Sequence, residues 1–86
     1  WRTNTMGEHT KNLHFADALG VMLGGGKVAR EGWNGKGLFT MAQFPDEHSK
    51  MGNPYLYIDA RALGGERNPW VPSQTDLFAQ DWFVVE

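Results

Sequence analysis

The densest group of chemically useful side chains lies in residues 28–37, which read Val-Ala-Arg-Glu-Gly-Trp-Asn-Gly-Lys-Gly. Arg30 and Lys36 are cations suited to phosphate oxygens, and an arginine can bind such a group through two parallel hydrogen bonds. Trp33 offers a ring on which a nucleobase can stack, a contact worth about 1–3 kcal/mol in single-strand binders. Asn34 adds an amide, and the glycines leave backbone N–H groups accessible because no Cβ stands in the way. This combination predicts a site for a small anion that carries an aromatic ring.

Each of these side chains also has a structural interpretation, and the sequence leaves both interpretations open. Trp33 is equally suited to a hydrophobic core or to a subunit interface. Arg30 and Lys36 are equally suited to a solvated surface, where most charged side chains lie. Asn34 is typical of a turn, since asparagine tolerates positive φ better than most residues.

The dipeptide Asn34-Gly35 predicts a β-hairpin. Both central residues of a type I′ turn need positive φ, and Asn-Gly meets that need well. We therefore predict one strand over residues 27–33 and another over residues 36–44, joined by a two-residue turn. Both faces of the second strand carry apolar side chains, so we predict that it lies in the middle of its sheet.

A second polar group, Ser73, Thr75 and Asp76, lies at a predicted helix start. Ser73 is the expected N-cap, and Asp76, three residues further on, completes a capping box. Asp76 is also suited to a ribose hydroxyl, the role that an acidic residue takes in dinucleotide-binding folds. The sequence leaves open whether Asp76 is a helix-cap carboxylate or a ligand contact.

Catalytic and metal-binding patterns are weak in this sequence. His9, His14 and His48 are scattered, with no nucleophile pattern beside them and no spacing typical of a metal site. Asp76 and Asp81 could act as an acid–base pair only if their environments separated their pKa values, which the sequence does not indicate. We therefore expect a protein that is not an enzyme and that uses no metal and no cofactor.

The composition limits the class of partner. The chain has 86 residues and a net charge of −2, which argues against binding of DNA or RNA polymers. Residues 27–36 hold three cations and one anion, a local excess that suits a small anion better than a polyanion. No apolar run approaches the roughly 20 residues of a membrane span, so we expect no membrane partner. Four tryptophans in so short a chain predict apolar surface that other subunits or a ligand cover, and on this ground we predict a homo-oligomer.

The remaining pattern predicts an α+β fold. Apolar residues at helical spacing indicate one long N-terminal helix of about three turns, with Asn12 as its N-cap and a run of three glycines at its end. Alternation predicts a strand over residues 55–61, with Asp59 on the face opposite to the core.

Trp70-Val71 is expected to begin a short edge segment, because prolines flank it. A short C-terminal helix over residues 74–80 and a strand over residues 82–85 complete a small antiparallel sheet with one long helix on a face. Residues 1–12 are polar and aperiodic, so we predict a disordered or vector-derived segment there and a single ligand-binding domain over residues 13–86.

Four stretches together resemble the second Thoeris anti-defense family of phage proteins. They are Phe15-x-x-Ala18-Leu19, the run Val28–Gly37, Trp70-Val71-Pro72-Ser73-Gln74-Thr75-Asp76, and Asp81-Trp82. The resemblance implies a homotetramer of α+β subunits with pockets between subunits. It also implies a sponge in the cytoplasm of the infected bacterial host, which sequesters glycocyclic ADP-ribose and related cyclic ADP-ribose-type signals made by a TIR-domain sensor. Some members resemble dual sponges that also take up cyclic oligonucleotides of CBASS-type signalling.

With the pockets that the resemblance implies, we expect the tip at residues 33–36 to meet the Ser73–Asp76 corner across a subunit boundary and to enclose a small diphosphate. The same resemblance implies the ligand-binding residues by position. They are Arg30, Trp33, Asn34, Lys36, Ser73, Thr75 and Asp76. Two other functions stay open at this stage: an enzyme that degrades the same signal, and an inhibitor that binds a host protein.

Overall fold

The computed structural model describes residues 10–33 and 35–86, so Asn34 and the greater part of the predicted N-terminal segment lie outside the described residues. Helix α1 spans Phe15–Leu23 and helix α2 spans Gln74–Phe78. The N-cap of α1 is His14 rather than the predicted Asn12, which has a positive φ of 57° instead of the extended backbone of an N-cap residue. The strands are β1 Lys27–Arg30, β2 Phe39–Gln43, β3 Tyr55–Asp59, β4 Arg67–Pro69 and β5 Trp82–Val85, and a 3₁₀ turn spans Arg61–Leu63. In the described part of the chain, neither helix has the length and apolar content needed to cross a bilayer.

The strands form one antiparallel sheet in the order β4-β3-β2-β1-β5. This confirms the α+β prediction, the central place of β2 and the final strand at residues 82–85. The predicted glycine stop of α1 is also confirmed, because Gly24 and Gly25 donate their N–H groups to the carbonyls of Gly20 and Met22.

The predicted two-residue hairpin is wrong. β1 ends at Arg30 and β2 begins at Phe39, so the connection is the β1–β2 loop, residues 31–38, and Trp33 lies in it rather than in a strand. The backbone leaves the ladder after Arg30 because the Trp33 N–H turns back to the Arg30 carbonyl, at 3.2 Å. This turn lets the indole join the aromatic core, and burial of a large apolar ring outweighs a local turn preference.

One smaller prediction is corrected in the segment after β2. The edge strand is Arg67–Pro69 rather than a segment that begins at Trp70, because the Trp70 ring packs against other aromatic rings. Asp59 lies opposite the helices as predicted, yet only 3% of it is exposed. Hydrogen bonds from Arg61 and Arg67 hold the pKa of Asp59 far below its usual value.

The core lies between α1 and the sheet, and Ala18, Met22, Val28 and Trp82 are fully buried there. An aromatic cluster of Phe15, Trp33, Trp70 and Trp82 extends this core toward α2, with ring centroids 5.3–6.4 Å apart. Most of these ring pairs are edge-to-face, an arrangement that adds about 0.5–1.5 kcal/mol per pair beyond burial of area. The α2 end of the core therefore depends on rings contributed by four separate segments.

Met22→Ala is expected to lower the free energy of unfolding by about 2–4 kcal/mol, because it leaves a cavity in a fully buried site. Urea denaturation followed by circular dichroism measures the change. The matched control is Leu23→Ala, because Leu23 lies next in α1 but is 57% exposed. We expect the control to change stability by less than about 1 kcal/mol, and equal losses in the two variants would contradict this assignment of the core.

Candidate ligand-binding site

Arg30, at the end of β1, connects two carboxylates that are far away in sequence. Its Nη1 donates to Asp76 Oδ1 and its Nε donates to Asp81 Oδ1, each at 2.9 Å. The side chains of Arg30 and Asp76 are 14% and 11% exposed, whereas that of Asp81 is 33% exposed. We call these three residues the Arg30 bridge. It joins the end of β1 to the start of α2 and to the residue before β5.

Both oxygens of Asp76 are occupied by donors from this chain. Oδ2 accepts hydrogen bonds from the Ser73 backbone N–H and hydroxyl, each at 2.9 Å, which confirms the predicted capping box. Oδ1 accepts from Arg30 and also from Trp33 Nε1 at 3.4 Å. Burial raises the pKa of Asp76, but these hydrogen bonds lower it by more, so the pKa of this carboxyl lies below its usual value.

The Asp81 carboxylate also accepts hydrogen bonds on both oxygens. Besides the bond from Arg30 to Oδ1, its Oδ2 accepts a hydrogen bond from the Gly32 backbone N–H at 2.8 Å. Burial raises the pKa of Asp81, and the bonds from Arg30 and Gly32 lower it by more. The hydrogen bond to Asp81 in turn raises the pKa of Arg30 above its usual value. The two carboxyls therefore have pKa values shifted in the same direction, toward the charged form.

Trp33 is half-buried in the aromatic cluster. Its ring lies edge-to-face against Trp82, with centroids 5.3 Å apart, and against Trp70, with centroids 6.2 Å apart. Its Nε1 is directed at Asp76, so the indole connects the cluster to the Arg30 bridge. The core interpretation of Trp33 is thus correct for its contacts with Trp70 and Trp82, and Trp33 is also among the residues that line a cavity.

That cavity lies at the end of β1 and the start of β5, beneath the β1–β2 loop. Its volume is about 410 Å³, within the usual range of small-molecule sites, and it is open to solvent on one side. Trp33, Arg30 and Lys36 line it together with apolar walls. The apolar lining residues are Ala29, Leu38 and Phe83.

The β1–β2 loop packs against the 3₁₀ turn through two glycines. A Cβ on Gly35 would lie 2.7 Å from Leu63 Cδ1, and one on Gly37 would lie 2.6 Å from Ala62 Cβ. Both glycines also have positive φ, 115° and 92°. These positions require glycine because the chain itself approaches closely there, in a backbone conformation that other residues rarely adopt.

The structure therefore brings together most of the residues that the sequence indicated. Arg30, Trp33, Ser73 and Asp76 form one hydrogen-bonded group within a single chain, rather than across the predicted subunit boundary. Lys36 lies on the cavity. Thr75 is exposed on α2 and is not among the residues that line the cavity, and Asn34 lies outside the described residues.

Three residues of this region are not among the predicted ligand-binding residues. Asp81 is indicated by the sequence as half of an acid–base pair and as part of the Asp81-Trp82 stretch, whereas in the structure it holds Arg30 and the loop. Phe83 lines the cavity, and Leu63 lies beside Gly35. No local sequence pattern reveals the Asp81 contacts, because they depend on the pairing of β1 with β5, in which Arg30 lies opposite Trp82.

Metal binding has no support in the described residues. Over residues 10–33 and 35–86, no group of three or more histidine, aspartate or glutamate side chains is placed to hold a metal ion. The two bridge carboxylates face a guanidinium instead. The chemistry of this region is that of charge-assisted hydrogen bonding.

Comparison with known proteins gives two consistent findings. Residues 13–85 match the family model of the Thoeris anti-defense 2-like domain. The chain is also 36% identical over 84 residues to a protein of Bacillus phage SP01 named Thoeris anti-defense 2, an alignment that covers 85% of this chain and 94% of the relative. The family match at residues 13–85 includes the Arg30 bridge, the aromatic cluster and the β1–β2 loop.

Asp76→Ala is expected to lower the free energy of unfolding by about 3 kcal/mol, because Arg30 loses a partner inside the protein and α2 loses half of its capping box. In a domain of this size the loss corresponds to a fall in Tm of more than about 10 °C. Thermal unfolding followed by circular dichroism measures it. Thr75→Ala, one residue away and exposed, serves as the control with an expected change below about 0.5 kcal/mol. An unchanged Tm for Asp76→Ala would show that the bridge adds nothing to stability.

Proposed function

This chain belongs to the Thoeris anti-defense 2-like family, and we propose that it acts by sequestering a cyclic ADP-ribose-type signal without altering it chemically. Membership of this family supports a phage anti-Thoeris role. The observation that carries the sponge mechanism is the cavity that combines the surface of Trp33 with Lys36 and Arg30. We propose glycocyclic ADP-ribose as the ligand and the cytoplasm of the infected host, where that signal would be made, as the place of action.

The cavity lining suits the parts of such a ligand. Adenine would lie against Trp33 and the apolar wall, where stacking on an aromatic ring is worth about 1–3 kcal/mol. The diphosphate would lie near Lys36 and the free edge of the Arg30 guanidinium. Within the described residues, Nη2 of Arg30 makes no hydrogen bond and Lys36 makes no ion pair, so both remain available to an anion.

The seven predicted ligand residues then divide into two roles. We propose that Arg30, Trp33 and Lys36 contact the signal, whereas Ser73 and Asp76 hold Arg30 and Trp33 in position. Direct contact by Asn34 and Thr75 stays a prediction. Prior placement of the contacting groups favours tight binding, because side chains that are already ordered lose little entropy when the ligand arrives.

The state of the carboxylates supports sequestration over hydrolysis. A general acid must hold a proton near neutral pH, and the pKa values of Asp76 and Asp81 are both shifted the other way. Both carboxylates also accept hydrogen bonds from Arg30, so neither is free to act as a base. We propose that the protein is not an enzyme.

The open side of the cavity suits coverage by a second copy of the chain. A homotetramer with pockets between subunits would complete the enclosure and exclude water, which strengthens electrostatic contacts to a diphosphate. The sheet face that carries Met41, Tyr57 and Phe83 is opposite both helices, and it offers further apolar surface for that contact.

A second ligand class is proposed on a separate observation. A cavity of about 210 Å³ lies at the β3–β4 edge, where Tyr55, Tyr57 and Arg67 supply rings and a guanidinium. These groups suit a base and a phosphate, so we propose that a cyclic oligonucleotide of CBASS-type signalling binds there. Titration of a cyclic dinucleotide into protein saturated with glycocyclic ADP-ribose tests this. Competition between the ligands, or no binding, would reject the second site.

Sequestration predicts that the intact signal can be recovered. The purified protein is mixed with excess glycocyclic ADP-ribose, filtered to remove free ligand and heated, and the released molecule is analysed by chromatography and mass spectrometry. We expect unmodified ligand at a fixed ratio to protein. Product that exceeds the amount of protein would favour the degrading enzyme, and capture of a host protein in the absence of any nucleotide would favour the protein-binding inhibitor.

Lys36→Ala is expected to weaken binding of glycocyclic ADP-ribose at least tenfold, or about 1.4 kcal/mol, because it removes a cation from the cavity. Isothermal titration calorimetry measures the Kd. Lys50→Ala removes an exposed lysine from the connection between β2 and β3, so it controls for net charge. Equal losses in the two variants would indicate long-range attraction and not a contact in the cavity.

A further inference from the structure

Asp81 bonds to three successive residues at the point where the chain leaves β1. Its Oδ1 accepts from Arg30 Nε at 2.9 Å, its carbonyl accepts from the Glu31 N–H at 3.1 Å, and its Oδ2 accepts from the Gly32 N–H at 2.8 Å. The first and last of these bonds use different oxygens of one carboxylate. Asp81 therefore fixes both a side chain of the site and the backbone of the β1–β2 loop.

The fixed backbone leads directly to Trp33. Immediately after Gly32, the Trp33 N–H turns back to the Arg30 carbonyl, and the indole reaches Trp82, the residue that follows Asp81. The position of the ring thus depends on how residues 30–32 leave the strand. The loop also packs closely against the 3₁₀ turn, at Gly35 and Gly37.

We propose that Asp81 is a positioning residue for the ligand site, which holds the β1–β2 loop in its binding conformation before the ligand arrives. The expected effect of Asp81 on ligand affinity rests on the proposed function. The expected ordering of the β1–β2 loop by Asp81 does not, because it can be measured without ligand. Asp76 has a different role, since its carboxylate accepts four hydrogen bonds from side chains and from the α2 cap, and none from the loop backbone.

Wild-type protein provides the first test. Gly32 is exposed, yet its N–H donates to a carboxylate, so we expect its amide to exchange with deuterium at least about tenfold more slowly than an unprotected amide. NMR on the ligand-free protein measures this directly. Exchange of Gly32 at the unprotected rate would overturn the proposal without any variant.

Asp81→Asn provides the second test, because it keeps the shape and changes the hydrogen bonding. A carboxamide has a single acceptor oxygen, so its NH₂ group must face either Arg30 Nε–H or the Gly32 N–H, which are both donors. We expect amide exchange over residues 32–37 to accelerate at least about tenfold, and binding of glycocyclic ADP-ribose to weaken by a similar factor.

Met22→Ala is the stability-matched control, since it destabilises the core without removing a hydrogen bond from the loop. We expect it to leave loop exchange and Kd close to wild-type values at temperatures well below its Tm. Equal effects of Asp81→Asn and Met22→Ala on the loop and on Kd would reduce Asp81 to a general stabiliser and overturn the proposal. Absence of ligand binding by wild-type protein would instead reject the proposed function, while the exchange measurements would still decide whether Asp81 orders the loop.

Discussion

A guanidinium held between two carboxylates is the interaction on which the candidate site depends. Arg30 lies 46 residues before Asp76 and 51 residues before Asp81, so the bridge joins segments that are distant in the chain. Burial of these charges has an unfavourable solvation term, which close ion pairs and additional hydrogen bonds must offset. Ser73, Trp33 and Gly32 provide those bonds. The same contacts that compensate for burial also determine where the loop and the indole lie.

Local signals explain the parts of the fold that the sequence predicted well. The capping box at Ser73 and Asp76 is a contact between neighbours in the chain, and α1 ends in three glycines, so both could be recognised without knowledge of the fold. The strand at residues 82–85 was bounded by a polar residue and the end of the apolar run. The proximity of Trp33 to the Ser73–Asp76 corner was also predicted, although it was placed between subunits and occurs within one chain.

Long-range contacts explain the parts that could not be predicted. Asn-Gly favours a two-residue turn, and that preference amounts to a small local free energy. Here it competes with burial of Trp33 against two aromatic rings and with the approach of Gly35 to Leu63. The acceptor of the Gly32 N–H is Asp81, which becomes adjacent only through the pairing of β1 with β5. A pattern read along the chain contains no information about that pairing.

The charge of the bridge also constrains how an anion could bind. One guanidinium between two carboxylates leaves a local excess of negative charge, so the bridge alone would repel a diphosphate rather than attract it. Attraction must come from Lys36, from loop N–H groups or from a neighbouring copy. Arg30 would then orient the diphosphate through a hydrogen bond from Nη2, and it would add little net electrostatic attraction. On this view, the site gains its selectivity from geometry: the bridge and Asp81 hold the loop, and the loop presents an indole and a lysine at a fixed separation.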